Sequence, residues 1–507
     1  MKLCPAGVGA ALVLALTAPV IPASPATATA VSGVAWTACD PEVLHPVPVS
    51  ERASLSCGSV AVPVDHDVPS AGTLPLALMR RRAGDPNQRI GTLFVNIGGP
   101  GGSGFLYTRL VHERFAPSVL ARFDIVGFDP RGVGRSGPVR CFTSQEQVYG
   151  LLSRSFAAPV QPAEIASSID AADEYSRLCA ANAGPLLEHL STRDVARDLD
   201  LLRAAVGDDR LSYVGLSYGT LLGATYAALF PQRVRSIVLD GSVDPQLRTA
   251  DGAQYVYQRS QGFELALNAM LTQCEGSGTR CALAPGARAK FTALREHLRT
   301  SSLKRADGST VTFSSFVSEL VSLLQQPALF DELAASLQAD YEVMRTGKAR
   351  SPATTGTAGE TAYHGDDSYF GVNCTDMPFP DALDPAATAT AWEKVSPTFG
   401  RYHAFLEPAQ CPSWPSTGAD RYSGPWANRS GRTILVYGNV FDPATQYRFA
   451  QRMVSQLGDA RLVTVGAFGH TILGDSACTD QITAAYLVDG QVPPAGRICQ
   501  PDLTPFS

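Results

Sequence analysis

The sequence predicts an α/β fold: an eight-stranded, mostly parallel sheet carrying a helical cap between its sixth and seventh strands. Three observations carry this expectation. Short apolar, partly β-branched runs alternate with helical patterns in the first half of the chain and again at its end. One strand-to-helix junction reads Gly215-Leu216-Ser217-Tyr218-Gly219, the one segment that fits G-x-S-x-G. Between Asp244 and about Asn428 the alternation stops and helical spacing takes over.

Taken in order, Ser59 to Val64 and Leu74 to Met79 read as an opening hairpin pair. Six more strands follow: Thr92 to Ile97, Phe123 to Phe128, Leu211 to Leu216, Val234 to Leu239, Thr433 to Tyr437 and Arg461 to Val465. Strands joined by helical crossovers pair in parallel and are covered on both faces, which suits runs this apolar. Asp194 to Val206, Thr220 to Phe230, Gln446 to Leu457 and Cys478 to Val488 supply crossover and closing helices. The cap helices are expected over Gln258 to Leu271, Ala287 to Leu298, Ser314 to Leu324 and Leu329 to Met344. The expected division is a core over 31–243 and 429–507, with the cap over 244–428 between them.

The flanking glycines of the G-x-S-x-G turn let the backbone reverse sharply and push Ser217 into the open. A nucleophilic serine needs a base, and the base needs an orienting carboxylate. After this kind of turn the partners follow in the order acid, then histidine. His470 is the one histidine near the C-terminus, and it closely follows an apolar run. Between Gly431 and His470 only Asp442 and Asp459 are carboxylates. Asp459 sits in the Gly458-Asp459 turn before the next strand. Asp442 lies at the carboxyl end of its strand, where the active sites of open α/β sheets are found. Ser217, Asp442 and His470 are therefore the candidate catalytic triad.

The glycine-rich run Gly98-Gly99-Pro100-Gly101-Gly102-Ser103-Gly104 follows the strand Thr92 to Val95. Backbone N–H groups there, with that of Tyr218, suit an oxyanion hole; Gly99 and Tyr218 are the expected donors. A phosphate-binding loop is the competing reading. The run lacks the lysine of a Walker A loop, and its proline fits neither that loop nor a dinucleotide fingerprint.

These motifs form one series with Phe123-Asp124-Ile125-Val126-Gly127-Phe128-Asp129-Pro130-Arg131-Gly132-Val133-Gly134-Arg135-Ser136 and Val238-Leu239-Asp240-Gly241. The series resembles the secreted tripeptidyl aminopeptidases of actinobacteria, members of the α/β-hydrolase clan that also holds proline iminopeptidases. The resemblance runs from about Cys39 to about Cys499. One departure is Ile97, where proline iminopeptidases carry histidine. The resemblance implies a secreted serine exopeptidase that releases tripeptides from free N-termini. The alternative is a secreted esterase or amidase using the same triad, since fold and triad do not fix the substrate. A non-catalytic binding protein on this fold would be expected to have lost a triad member, and none is lost.

An aminopeptidase must hold a free α-ammonium, which calls for a buried carboxylate. Asp376 and then Asp366 are the candidates in the cap. No metal and no cofactor are expected; the expected partners are peptide or protein N-termini.

Composition sets further bounds. The 507 residues are 45% hydrophobic and 17% charged, with a net charge of −6 and no basic stripe, so nucleic acid is not an expected partner. Residues 1–30 read as a secretory signal: Lys2, an apolar stretch from Val8 to Val20, and small-residue cleavage sites at Ala26-Thr27-Ala28 and Ala28-Thr29-Ala30. No later segment is long enough to span a bilayer, so no stable membrane anchor is expected. Apart from Cys4, ten cysteines remain: Cys39, Cys57, Cys141, Cys179, Cys274, Cys281, Cys374, Cys411, Cys478 and Cys499. An even number without a zinc spacing suggests disulfides, and neighbour pairing led by Cys274 with Cys281 is the simplest arrangement. Oligomeric state is not legible.

Overall fold

The computed structural model describes residues 33–348, 363, 367–416 and 418–507. The segment read as a signal, 1–30, lies outside them, as does Asp366.

The strands are β1 (Leu55–Pro63), β2 (Thr73–Arg81), β3 (Gly91–Asn96), β4 (Phe123–Phe128), β5 (Leu211–Leu216), β6 (Val234–Asp240), β7 (Leu303–Lys304), β8 (Thr310–Val311), β9 (Ile434–Phe441), β10 (Ala460–Phe468) and β11 (Ile498–Cys499). Nine of them form one sheet in the order β1-β2-β4-β3-β5-β6-β9-β10-β11. β1 pairs antiparallel with β2, and β2 with β4; every other neighbour pair is parallel. The sheet thus has one strand more than the eight expected. β11 is two residues long; it pairs with β10, and the Cys478–Cys499 disulfide ties it to the start of the helix Ala477–Asp489. A strand this short leaves no periodic signal in the sequence.

Every residue of β3, β4 and β5 is buried, as strands covered on both faces must be. Alternate residues feed opposite layers. Tyr213, Ile237, Leu239, Ile434 and Val436 join the core on one face. Val214, Val238, Leu435 and Tyr437 join the core on the other.

The crossover helices start where a side chain caps them. Ser191 accepts from the N–H of Asp194 at the start of Thr192–Ala205, and Ser476 accepts from that of Thr479 at the start of Ala477–Asp489. Both helices fall within two residues of their expected starts. The helix Pro162–Asn182 was not expected. Its four buried residues, Ser168, Ala171, Ser176 and Cys179, are small, so it has no apolar stripe to read.

Between β6 and β9 the helices Gly252–Ser277, Ala287–Leu298, Phe313–Leu323 and Phe330–Thr346 pack around a core of their own that includes Phe263, Met270, Phe291, Phe316, Phe330 and Phe399. The hairpin β7–β8 adds two short strands there that sequence periodicity did not announce. Among the described residues, no helix is long and apolar enough to cross a membrane. All ten cysteines Cys39 to Cys499 pair with their sequence neighbours: Cys39–Cys57, Cys141–Cys179, Cys274–Cys281, Cys374–Cys411 and Cys478–Cys499.

Candidate active site

The elbow is built by its glycines. Ser217 stands between β5 and the helix Gly219–Leu229 with φ +54°, one of three non-glycine residues with positive φ among those described. Such a conformation costs about 1–3 kcal/mol and persists only where its surroundings enforce it. Gly215 and Gly219 face each other so closely that a Cβ on Gly215 would meet the Gly219 carbonyl at 2.2 Å. The Ser217 N–H donates to the carbonyl of Asp240 on β6 (2.9 Å), and its own carbonyl accepts from Thr220 N–H (2.9 Å) and Thr220 Oγ1 (2.6 Å).

Asp442 follows the last residue of β9. Its Oδ1 accepts the N–H groups of Ala444 (2.9 Å) and Thr445 (2.8 Å), and its Oδ2 accepts the Thr445 hydroxyl (2.9 Å). His470 Nδ1 sits 2.9 Å from Asp442 Oδ2 and 3.1 Å from Oδ1, with Thr445 Oγ1 at 3.2 Å. Burial works against the imidazolium. The Asp442 charge and its hydrogen bond outweigh burial and raise His470 above the ordinary imidazole value.

The loop that carries His470 is clamped from three sides. Asn439 Nδ2 donates to the carbonyls of Gly469 (3.1 Å) and Thr471 (2.8 Å), and the His470 N–H donates to the Gln325 carbonyl (3.0 Å). Gly241 lies under the ring: a Cβ there would meet His470 Cε1 at 3.1 Å. The elbow and the histidine loop therefore meet across the end of β6. No hydrogen bond joins the Ser217 hydroxyl to His470 in this structure, a looseness usual before substrate binds.

The glycine loop packs directly on the elbow. A Cβ on Gly98 (φ +86°) would lie 2.5 Å from the Leu216 carbonyl and 2.9 Å from both Ser217 Cβ and the Tyr218 nitrogen. Asn96 Oδ1 accepts from Gly98 N–H (3.0 Å), and Gly102 N–H donates back to the Gly98 carbonyl (3.0 Å). The N–H groups of Gly99 and Tyr218 donate to nothing among the described residues. An oxyanion needs preorganised N–H donors that are free of other partners.

Asp129 and Arg131 of the sequence series bond within the scaffold. Asp129 accepts from Ser103 Oγ (2.5 Å), Phe105 N–H (3.3 Å) and Arg135 N–H (2.9 Å), so it ties the glycine loop to the turn after β4. Arg131 is fully buried and forked onto Asp198 at 2.6 and 2.7 Å, with the carbonyls of Pro63, Val64 and His189 taking its other donors.

Asp376, the first candidate for holding a substrate ammonium, already has partners in the fold. It lies buried on the helix Ser368–Asp376, where it accepts Thr192 N–H (3.2 Å) and Thr192 Oγ1 (2.5 Å). The same hydroxyl is 2.6 Å from the phenol of Tyr218, and Arg248 contributes a nearby counter-charge. Its oxygens are thus engaged with the fold beneath the elbow. Asp459 stands at the other end of the sheet, accepting from Thr433 Oγ1 (2.7 Å). Sequence reasoning missed Asn439 and Thr445. The run Asp442-Pro443-Ala444-Thr445 does carry a signal, since an aspartate two and three residues before free N–H groups favours an Asx turn.

Two family descriptions match the chain: alpha/beta hydrolase fold over residues 92–264, and TAP-like protein over residues 396–499. The chain is 30% identical to the tripeptidyl aminopeptidase of Streptomyces lividans, over 94% of this chain and 88% of that protein. It is 31% identical to the serine protease Hip1 of Mycobacterium tuberculosis, over 92% and 91%. It is also 31% identical to the carboxylesterase B of the same organism, over 92% and 90%.

Proposed function

The chain belongs to the tripeptidyl aminopeptidase family of serine peptidases with the alpha/beta hydrolase fold, and from that premise we propose that it is a secreted exopeptidase that releases short peptides, tripeptides first, from free N-termini through an acyl-enzyme on Ser217. The observation that carries the reading is the His470–Asp442 pair at 2.9 Å, set across the end of β6 from a serine held at positive φ.

In this reading Ser217 Oγ attacks the scissile carbonyl and passes its proton to His470 Nε2. Asp442 holds Nδ1–H, fixes the tautomer and stabilises the imidazolium. The N–H groups of Gly99 and Tyr218 receive the developing oxyanion, where preorganised donors are worth several kcal/mol. His470 returns the proton to the leaving amine, and a water activated by the same imidazole then releases the peptide. Five disulfides suit an oxidising compartment and support the secreted setting. The tripeptide length rests on the named relative alone.

The test is a matched series of mono-, di- and tripeptidyl anilides, each with a free or acetylated N-terminus, alongside a simple acyl ester. The proposal expects the free tripeptidyl anilide to turn over fastest and acetylation to cost roughly a hundredfold or more in kcat/KM, because a carboxylate that should meet the ammonium is left unpaired. Equal rates on free and acetylated substrates, with the ester preferred, would favour the esterase reading that the carboxylesterase relative keeps open.

A further inference from the structure

Asp240 closes β6 and is almost wholly buried, yet none of the catalytic steps above uses its side chain. Its two ends serve two different loops. The backbone carbonyl accepts the Ser217 N–H at 2.9 Å. The carboxylate Oδ2 accepts the N–H groups of Ile472 (2.8 Å) and Leu473 (2.9 Å), which follow His470 in the chain. One residue therefore bonds both the turn that carries the serine and the loop that carries the histidine.

The loop it holds is strained. Thr471, between His470 and Ile472, has φ +68°, a conformation that a β-branched residue avoids. Ser217 and Thr471 are two of the three described non-glycine residues with positive φ, and Asp240 bonds Ser217 and the residue directly after Thr471. Asn439 grips the carbonyl and Asp240 the N–H of the one peptide unit that joins Thr471 to Ile472. Strain of this kind holds only while such partners remain in place.

We propose that Asp240 is a positioning residue: it locks the serine turn and the histidine loop into one arrangement and keeps a negative charge within electrostatic reach of His470. The proposal rests on the assignment of Ser217 and His470 as nucleophile and base. Burial pushes the Asp240 carboxyl up to about 6, against the opposing pull of the two N–H donors and of His470. The titratable groups that face it are His470 and Asp442, with the phenols of Tyr107 and Tyr437. His470 is faced in turn by Asp442, Asp240 and Arg259. Removing the Asp240 charge should make the imidazolium easier to deprotonate.

The experiment compares wild type, Asp240→Asn and Asp240→Ala by the pH profile of kcat/KM and by fluorophosphonate labelling mapped to the residue. Asp240→Asn keeps an oxygen for both N–H groups and removes the charge. The acid limb, which reports the base losing its proton, should move to lower pH by about half a unit or more. Asp240→Ala removes both bonds, and kcat should fall at least about tenfold with KM little changed. If the alanine variant does not fold, the asparagine profile decides alone. An acid limb unmoved in Asp240→Asn, with Ser217 still labelled, would overturn the electrostatic half of the proposal, an unchanged kcat in Asp240→Ala would overturn the locking half, and either would leave the site reading standing. Wild-type labelling at a residue other than Ser217 would overturn both, and the mapped position tells the two failures apart.

Discussion

At the scale of single residues the site is a set of side chains whose hydrogen bonds leave few alternatives. Asp442 spends one oxygen on two backbone N–H groups and the other on Thr445 and His470, so its orientation is over-determined. Asp442→Asn should keep that shape and present an amide to Nδ1, favouring the wrong tautomer. The expected loss is about three to four orders of magnitude in kcat on a peptidyl anilide. Asp459→Asn, at the opposite end of the sheet, should leave kcat within about twofold, because surface changes away from such networks cost little. Steady-state kinetics of the two variants checks both, and exchanged results would refute the choice of acid. Ser217, Asp442 and His470 are legible in the sequence as candidates because the chemistry demands those residue types in that order, and the structure joins the last two at 2.9 Å. Asp376 is not legible in the same way. A carboxylate between β6 and β9 can meet a ligand or its own chain, and only the Thr192 contacts show which bonds Asp376 makes. Arg131 teaches the same lesson, since an arginine within a motif can look available and yet be fully buried against its aspartate, here Asp198.

At the scale of elements, the strands are legible wherever apolar runs are long enough to show a period, and β3 to β6 fall within about a residue of expectation at most ends. What escapes are elements stabilised by something other than an apolar stripe. β11 is two residues long and carries a disulfide to a helix, the hairpin β7–β8 has two residues in each strand, and the helix Pro162–Asn182 buries only small residues. The loop after β10 also escapes, because its shape is set by contacts from other elements. Asn439, near the end of β9, holds two of its carbonyls. Asn439→Ala should free that loop, lowering kcat by about tenfold with little change in KM, since misplacing the base costs orientation and not ground-state binding. Kinetics on the preferred anilide, with circular dichroism to show that the fold is kept, checks this. An unchanged kcat would mean that the Gln325 and Asp240 contacts suffice to hold His470.

At the scale of the whole molecule, the sheet is covered by cores on both faces and the helices between β6 and β9 have a further core of their own. The five disulfides are distributed over both parts, with sequence separations of 7 to 38 residues. Each constrains the unfolded chain by ~2–4 kcal/mol. A protein lacking residues 1–30 should therefore show no free thiol when denatured without reductant, and its Tm should fall on reduction; thiol titration and a thermal scan measure both. Two or more titratable thiols would contradict the pairing. The even count of the ten cysteines after Cys4 is legible, and neighbour pairing is both the simplest and the observed solution, although nothing in spacing alone requires it.

The most direct measurement of the central claim is rapid-quench intact-mass analysis of the enzyme during turnover of a free tripeptidyl anilide, followed by peptide mapping. The account predicts a transient gain equal to the tripeptidyl acyl group, mapped to Ser217 and absent from Ser217→Ala, whose turnover should be near background. An adduct on another residue, or near-normal turnover by Ser217→Ala, would contradict it.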